Sequence, residues 1–283
     1  TDKIVTMTAA TTLLADRATV GDATSVSSLA NAVGTAVAVF DFTVTDLAGG
    51  AVTSFDELTI PITFNDVDFA DVSGVSVAFT NGASTYGVSD SDDDGALTSG
   101  VDAGISLANV TGGMEIRLGG ASTGVTTVAN SAPELAVVAD GTSGDITVSI
   151  FLSSGTAVLI DGGTLTLSLS SDDFVVDPGL SDAFVGAQSV TAGVATIDVV
   201  ATELTFATPS TDTLAVDGVS EELTVAATDA NGNTDVDFAG TISVDDGQAT
   251  SGQFGATSSA FDVVANPITG NVLGELALYY KSD

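Results

Sequence analysis

Apolar and polar residues alternate with a period of two in many short segments of this chain. Because neighbouring side chains of a β-strand point to opposite faces of the sheet, such alternation predicts half-buried strands. Thr and Val are frequent in these segments, and clusters of Gly, Asp, Asn and Ser separate them, as is typical of antiparallel β-sandwiches. The clearest segments are Ala38–Val44, Leu58–Phe64, Val75–Phe79, Ile146–Leu152 and Leu165–Leu169.

Three local features add to this pattern. Pro61 falls on the outward side of its predicted strand, which favours an edge position because the missing N–H matters least there. Asp22–Gly34 is compatible with one short helix, capped by Asp22 or Thr24 and ended by Gly34. The stretches 80–113 and 118–134 are rich in Gly, Ser, Thr and Asn and predict long surface loops.

The character of the sequence changes near residue 200. The motifs beyond this point are Leu204-Thr205-Phe206, Leu223-Thr224-Val225-Ala226-Ala227, Asp229-Ala230-Asn231-Gly232-Asn233 and Phe238-Ala239-Gly240-Thr241-Ile242-Ser243-Val244. This C-terminal segment resembles the bacterial immunoglobulin-like repeats of secreted surface proteins and adhesins. The resemblance implies a β-sandwich that acts as a spacer or an adhesive module, without catalysis.

The strand pattern and the resemblance together predict an all-β protein. We expect two antiparallel β-sandwich, immunoglobulin-like domains with long loops rich in Gly, Ser and Asp. An N-terminal extension over 1–35 holds a strand and the short helix, the larger sandwich covers 36–200, and the immunoglobulin-like sandwich covers 201–283.

Composition excludes several kinds of function. The 283 residues carry 38 acidic and 4 basic side chains, a formal net charge of -34, and contain no Cys, His or Trp. Thiol and imidazole catalysis, disulfides and Cys/His zinc sites are therefore impossible. We expect no nucleic-acid partner and no membrane insertion, because nucleic acid and anionic lipid are held mainly through Lys and Arg and no stretch is apolar enough to span a bilayer.

The charge and the first residue suggest a location. The sequence begins with Thr and not Met, which we interpret as a chain whose secretion signal has been removed. High Asp with low Lys suits a saline, calcium-containing exterior, where counterions screen the repulsion among carboxylates. The expected location is extracellular, at the cell surface.

One acidic loop has the spacing of a calcium site. Asp90, Asp92 and Asp94 occupy alternate positions and Gly95 follows directly, as in the first half of an oxygen-rich calcium loop. The pattern then departs from the EF-hand, in which position twelve of the loop is acidic. That position is Val101 here, and the nearest acid is the next residue, Asp102. We predict calcium as the cofactor, with Asp90, Asp92, Asp94 and Asp102 as its ligands. The alternative is a solvated acidic turn.

Other acidic clusters are more readily explained as loops. They are Asp66, Asp68 and Asp71 after one strand, and Asp172, Asp173 and Asp177 after another. The alternate oxygens of Asp229, Asn231 and Asn233 include Asn231-Gly232, which is first a hairpin turn signal.

Nothing in the spacing selects a catalytic pair. Glu is scarce, no Trp is present to stack on a sugar ring, and a Ser or Thr nucleophile would lack a histidine base. The favoured role of Arg17 and Arg117 is to pair with buried or interfacial carboxylates. We therefore predict that the protein is not an enzyme, and a secreted hydrolase is the least favoured class.

Two non-enzymatic functions remain open. The favoured one is a structural subunit that self-assembles into an extracellular filament or a surface layer, with copies of itself as partner. The alternative is a secreted adhesin or ligand-binding module that recognises a host or cell-surface ligand. Residues 1–14 carry Ile4, Val5, Met7, Leu13 and Leu14, which predict a strand. This strand either packs within its own chain or completes an open sheet edge of a neighbouring subunit by strand addition.

Overall fold

The computed structural model describes residues 11–16, 25–47, 52–80, 83–85, 95–120, 135–155, 158–176, 183–184, 187–208, 221–244, 252–255, 268–273 and 275–282. In these ranges the chain forms β-strands and short 3-10 turns, so the all-β prediction is confirmed. The chain divides into two compact units. Unit 1 is Thr1–Ala157 with Gly162–Ile197, and unit 2 is Val158–Asp161 with Asp198–Asp283.

The strands of unit 1 belong to two sheets. They are β1 Thr11–Asp16, β2 Ser25–Ser27, β3 Val37–Asp46, β4 Thr53–Asn65, β5 Val72–Thr80, β6 Ala83–Thr85, β7 Ala96–Thr98, β8 Ile105–Val110, β9 Gly113–Gly119, β10 Ala136–Val138, β11 Ser143–Leu152, β12 Thr164–Ser170, β13 Phe174–Val176, β14 Ala183–Phe184 and β15 Ser189–Asp198. One sheet has the order β14-β1-β3-β11-β5-β7. The other has the order β2-β15-β12-β4-β10-β6, with β13 and β9 also paired to β4 and β8 paired to β9.

An aromatic cluster joins the two sheets of unit 1. The ring of Phe174, on β13 of the larger sheet, lies 6.2 Å from Phe42 and 4.9 Å from Phe184, which belong to the smaller sheet. Phe55 of β4 lies 5.0 Å from Phe174. Phe42 and Phe55 are fully buried, so the alternating apolar residues of both sheets line one core, as their period predicts.

Pro61 does not mark an edge strand, and this expectation is wrong. β4 pairs with β9 from Glu57 to Thr63. On its opposite side it pairs with β13 as far as Leu58 and with β12 from Ile62 onward. Pro61 therefore lies in a gap between two successive partners of a central strand. The ladder is already interrupted there, so a proline without an N–H is tolerated.

Two further expectations fail in unit 1. The range that was compatible with a helix, where it is described, contains β2 and begins a 3-10 turn at Val33–Thr35. The Ser27 hydroxyl accepts the Leu29 N–H at 3.2 Å, and such a serine turn competes with helical hydrogen bonding. The stretch 80–113 is also more than a loop, because it holds β6, β7 and β8, where Leu97 and Ile105 are buried.

Unit 2 is built from six strands in the described residues. They are β16 Glu203–Thr208, β17 Glu221–Thr228, β18 Ala239–Val244, β19 Gly252–Gly255, β20 Ile268–Leu273 and β21 Glu275–Ser282. Four form an antiparallel sheet in the order β16-β17-β21-β19, and β18 pairs with β20. None of the helical turns in the described ranges has the length and apolar character of a membrane-spanning helix.

Candidate metal centre

The predicted calcium loop is described only in part. Asp90, Asp92 and Asp94 lie outside the described residues, so their assignment stays a prediction. Gly95 has a positive φ of 85°, which suits glycine. Asp102 is buried, and its carboxylate accepts the Thr98 N–H at 2.8 Å while its own N–H donates to the Thr98 carbonyl at 2.9 Å. The side chain of Asp102 therefore closes a tight turn.

Two other acidic clusters of the sequence cap 3-10 turns. Asp71 ends the turn Phe69–Asp71, and its carboxylate accepts the Asp68 N–H at 2.7 Å. Asp173 ends the turn Ser171–Asp173, and its carboxylate accepts both the N–H and the hydroxyl of Ser170 at 2.6 and 2.9 Å. The carboxylates of Asp71 and Asp173 thus satisfy backbone donors at strand ends. Asp177 lies outside the described residues.

Asp229 organises the turn that follows β17. Its Oδ1 accepts the N–H groups of Asn231 and Asn233 at 2.9 and 3.0 Å, and its Oδ2 accepts the Asn233 side-chain amide at 2.9 Å. Gly232 takes a positive φ of 86°, and Thr228 pairs with Thr234 across the turn. The turn that the sequence favoured here is confirmed, since the Asp229 oxygens are engaged by donors of the turn itself.

Beyond this turn, unit 2 brings three carboxylates together. Asp161, Asp235 and Asp237 each offer an oxygen, and these atoms lie within 4.8 Å of one another. Asp161 ends the short segment Val158–Asp161, whereas Asp235 and Asp237 follow the turn after β17. We call these three residues the aspartate cluster.

Backbone N–H groups orient two members of the cluster. Asp161 accepts the Val199 N–H on Oδ1 and the Val236 N–H on Oδ2, both at 2.9 Å. Asp235 accepts the Ala201 N–H on Oδ2 at 2.9 Å. A carboxylate oxygen has two lone pairs, so each of these oxygens keeps one for a further partner. The hydrogen bonds therefore fix the carboxylates without saturating them.

The other oxygen of Asp235 receives no hydrogen bond from a backbone N–H or a hydroxyl group. Asp235 is 7% exposed, and its Oδ1 is buried without a donor. A buried polar atom left without a partner costs roughly 1 to 3 kcal/mol, and more when it is charged. Asp161 is half-buried and Asp237 is exposed, so the cluster reaches from the interior of unit 2 to solvent.

The cluster concentrates negative charge. A hydrogen bond with the Asp235 carboxyl raises the pKa of Asp237, and the nearby charges of Asp161, Asp235 and Asp198 raise it further. When both carboxyl groups are ionised, neither has a proton to donate, and Asp235 Oδ1 then has no donor. Arg117, a described cation, is in unit 1 and binds Glu115 of its own strand at 2.6 Å, so it pairs with a carboxylate, although both side chains are partly exposed. Arg17 lies outside the described residues.

Sequence reasoning overlooked the aspartate cluster. The alternate oxygen-bearing residues noticed at Asp229, Asn231 and Asn233 continue to Asp235 and Asp237, and this longer alternation is the signal that was available. Asp161 precedes Asp235 by more than seventy positions, so no local spacing could have revealed it. The arrangement provides hard oxygen ligands, which suit a divalent cation.

Comparisons with known proteins do not identify the chain. No family model and no curated protein matches it. The solved structure described as "AvmM Catalyzes Macrocyclization in Alchivemycin A Biosynthesis" is similar over 66% of this chain and 88% of its own, with 12% identity and a TM-score of 0.29. At this level of similarity, the match supports no inference about the activity of this protein.

Proposed function

We propose that this protein is a non-enzymatic structural subunit that is secreted and self-assembles into an extracellular filament or surface layer. Its main partner is another copy of itself, and calcium neutralises part of its charge. A chain without Cys or His lacks a thiol nucleophile and the commonest general base, whereas its sheets offer backbone edges that could join subunits. The observation that carries the proposal is the position of β1.

β1 fills a slot between two strands of unit 1. It pairs antiparallel with β3 along Thr12–Asp16 and parallel with the two-residue strand β14. The facing residues of β3 include Phe42 and Val44, which are fully buried. If β1 left the slot, β3 would expose an unpaired edge beside the core, and such an edge recruits another strand.

The same slot accepts β1 of a neighbouring copy with the same register. Exchange of identical strands replaces each internal strand pairing by an equivalent pairing between subunits. The free-energy cost of the exchange is therefore small once the subunits are concentrated. A head-to-tail exchange that does not close into a ring propagates into a filament.

Unit 2 is proposed to be an immunoglobulin-like sandwich that spaces or displays the assembly. The proposal is supported by a four-stranded antiparallel sheet, β16-β17-β21-β19, and a separate antiparallel pair, β18-β20. An immunoglobulin-like sandwich is built from two antiparallel sheets of about four and three strands, and the described strands provide four of one and two of the other.

A mixing experiment with single cysteines tests strand exchange. Leu13 of β1 faces Thr45 of β3, and residues paired across an antiparallel ladder are close enough for a disulfide. A Leu13→Cys chain and a differently tagged Thr45→Cys chain are refolded together, assembled with calcium and oxidised. We expect a disulfide between the two chains as the main product. Its absence from the assemblies would mean that β1 stays in its own chain.

Two controls make the result interpretable, because the native chain contributes no thiol. A chain with both Thr45→Cys and Ser143→Cys should form an internal disulfide in either case, since the two hydroxyl groups lie 2.9 Å apart on β3 and β11. A mixture of Thr45→Cys with a chain carrying Cys at the exposed Ser154 measures random collision. The Leu13–Thr45 product must exceed this background at least about tenfold.

A further inference from the structure

The aspartate cluster carries an inference that does not depend on assembly. Its three carboxylates come from two segments that are distant in sequence, and its buried member retains an oxygen, Asp235 Oδ1, that no backbone N–H or hydroxyl group reaches. That oxygen belongs to a side chain 7% exposed whose carboxylate faces Asp161 and Asp237. We propose that unit 2 binds one calcium ion through Asp161, Asp235 and Asp237, separate from the acidic loop that includes Asp90.

The ligand chemistry favours a hard divalent cation. All three side chains offer oxygen, whereas zinc in structural sites is held mainly by sulfur and nitrogen. Calcium binds six to eight oxygens at about 2.3 to 2.6 Å, so two of its ligands can be up to roughly 5.2 Å apart. The cluster oxygens lie within 4.8 Å of one another and meet this limit.

Magnesium places stricter demands on the geometry of the cluster. Its oxygen ligands lie at about 2.0 to 2.1 Å in a near-ideal octahedron, so two of them are at most roughly 4.2 Å apart. Magnesium also gives up its water reluctantly. Calcium accepts the whole range of separations that the cluster allows, and water at the exposed Asp237 can complete its coordination.

The bound ion would fasten two segments of unit 2 together. Asp161 belongs to the segment Val158–Asp161, where the Leu159 N–H already donates to the Asn233 side chain at 3.0 Å. Asp235 and Asp237 follow the turn after β17, and the Asp235 N–H donates to the Ala227 carbonyl at 3.0 Å. Three carboxylates that repel one another without the ion become shared ligands with it, so calcium should stabilise this junction of segments.

The test compares Asp235→Asn with the parent chain. An asparagine here can still accept the Ala201 N–H, and its amide group places a donor beside the other two carboxylates. After chelation, calcium is titrated by calorimetry, and melting temperatures are recorded with and without calcium at neutral pH. We expect Asp235→Asn to bind one fewer calcium ion per chain, or to bind that ion at least about tenfold more weakly.

The stability readout separates a metal ligand from a merely structural residue. Asp235→Asn should melt no lower than the parent under chelation, because it removes repulsion and satisfies the buried site, yet it should gain less from calcium. Asp172→Asn is the charge-matched control at an exposed position of unit 1, and it should keep the parent's calcium response. If Asp235→Asn and Asp172→Asn bind as much calcium as the parent, the proposal is wrong.

A second variant allows the proposal to be tested even if Asp235→Asn does not fold. Asp237 is exposed, so Asp237→Asn should leave the fold intact and still weaken the same ion at least about tenfold. An unchanged calcium affinity in Asp237→Asn would overturn the proposal. Magnesium titrated alone should not reproduce the calcium effect, and equal binding of magnesium would overturn the assignment to calcium.

Discussion

Aspartates at turns in this chain accept hydrogen bonds from nearby backbone. Asp71, Asp102, Asp173 and Asp229 each accept at least one N–H from a residue within four positions. A short side chain that mimics a backbone carbonyl favours such turns, and ionisation strengthens the hydrogen bond. Part of the excess of Asp over Glu therefore serves the geometry of the connections between strands.

Asp71 provides a residue-scale prediction about pH. Burial raises the pKa of Asp71 above 3.8, the Asp68 N–H opposes the shift, and the charge of Asp68 adds to it. The folded protein thus holds this proton at pH values where the unfolded chain has lost it. The contribution of Asp71 to the free energy of unfolding is greatest below about pH 4 and falls as pH rises through the raised pKa.

Asp71→Asn should remove the pH-dependent contribution of Asp71 to the free energy of unfolding, and its side-chain oxygen can still accept the Asp68 N–H. Urea denaturation at a series of pH values from about 4 upward should show a shallower loss of stability in the variant than in the parent. Asp173→Asn makes the same substitution in the second capped turn. Its stability shows how much of the change comes from replacing a carboxylate by an amide at such a turn. Equal pH slopes for Asp71→Asn and the parent would contradict the account.

The sequence reveals some of these aspartate roles and conceals others. A turn cap is local, so the signal at Asn231-Gly232 correctly predicted the turn that Asp229 organises. A site assembled by the fold has no local signal, because the sheets bring Asp161 beside Asp235 only after folding. The candidate site could be found from the sequence only in part, as an alternation that ends at Asp237.

At the scale of elements, the period of two predicted the principal strands. Segments such as Leu58–Phe64 and Ile146–Leu152 have one buried face, and this requires apolar residues at alternate positions, which the sequence shows directly. The alternation does not show which strands are neighbours in a sheet. Pro61 was therefore assigned to an edge, although β4 is central and merely changes partners at that point. Shorter strands such as β7 were missed because three residues show too little alternation.

Phe174 gives the prediction at this scale. It is the buried residue of the three-residue strand β13, and its ring contacts aromatic rings from both sheets of unit 1. Phe174→Ala should lower the free energy of unfolding by about 3 to 5 kcal/mol, because it opens a cavity between the sheets. Chemical denaturation followed by far-UV circular dichroism measures this loss.

Val175 offers a matched control on the same strand. It is 48% exposed, so Val175→Ala should cost less than about 1 kcal/mol. Similar losses for the two variants would show that β13 is held by strand pairing alone and that the aromatic cluster contributes little.

At the scale of the whole molecule, charge governs association. A net charge of -34 makes copies of the chain repel one another over about a Debye length, roughly 8 Å at physiological ionic strength. Backbone pairing and apolar burial act at contact and are little screened, so subunits must first approach against this repulsion. A divalent cation that binds carboxylates lowers the barrier, and this links the proposed calcium binding to assembly.

Negative-stain microscopy of the purified full chain, with millimolar calcium and with a chelator, tests the central claim most directly. We expect regular filaments or layers in calcium, and fewer or shorter assemblies when the ion is removed. Monomers under both conditions would contradict self-assembly and favour the adhesin alternative, which binding to a glycan array would then examine.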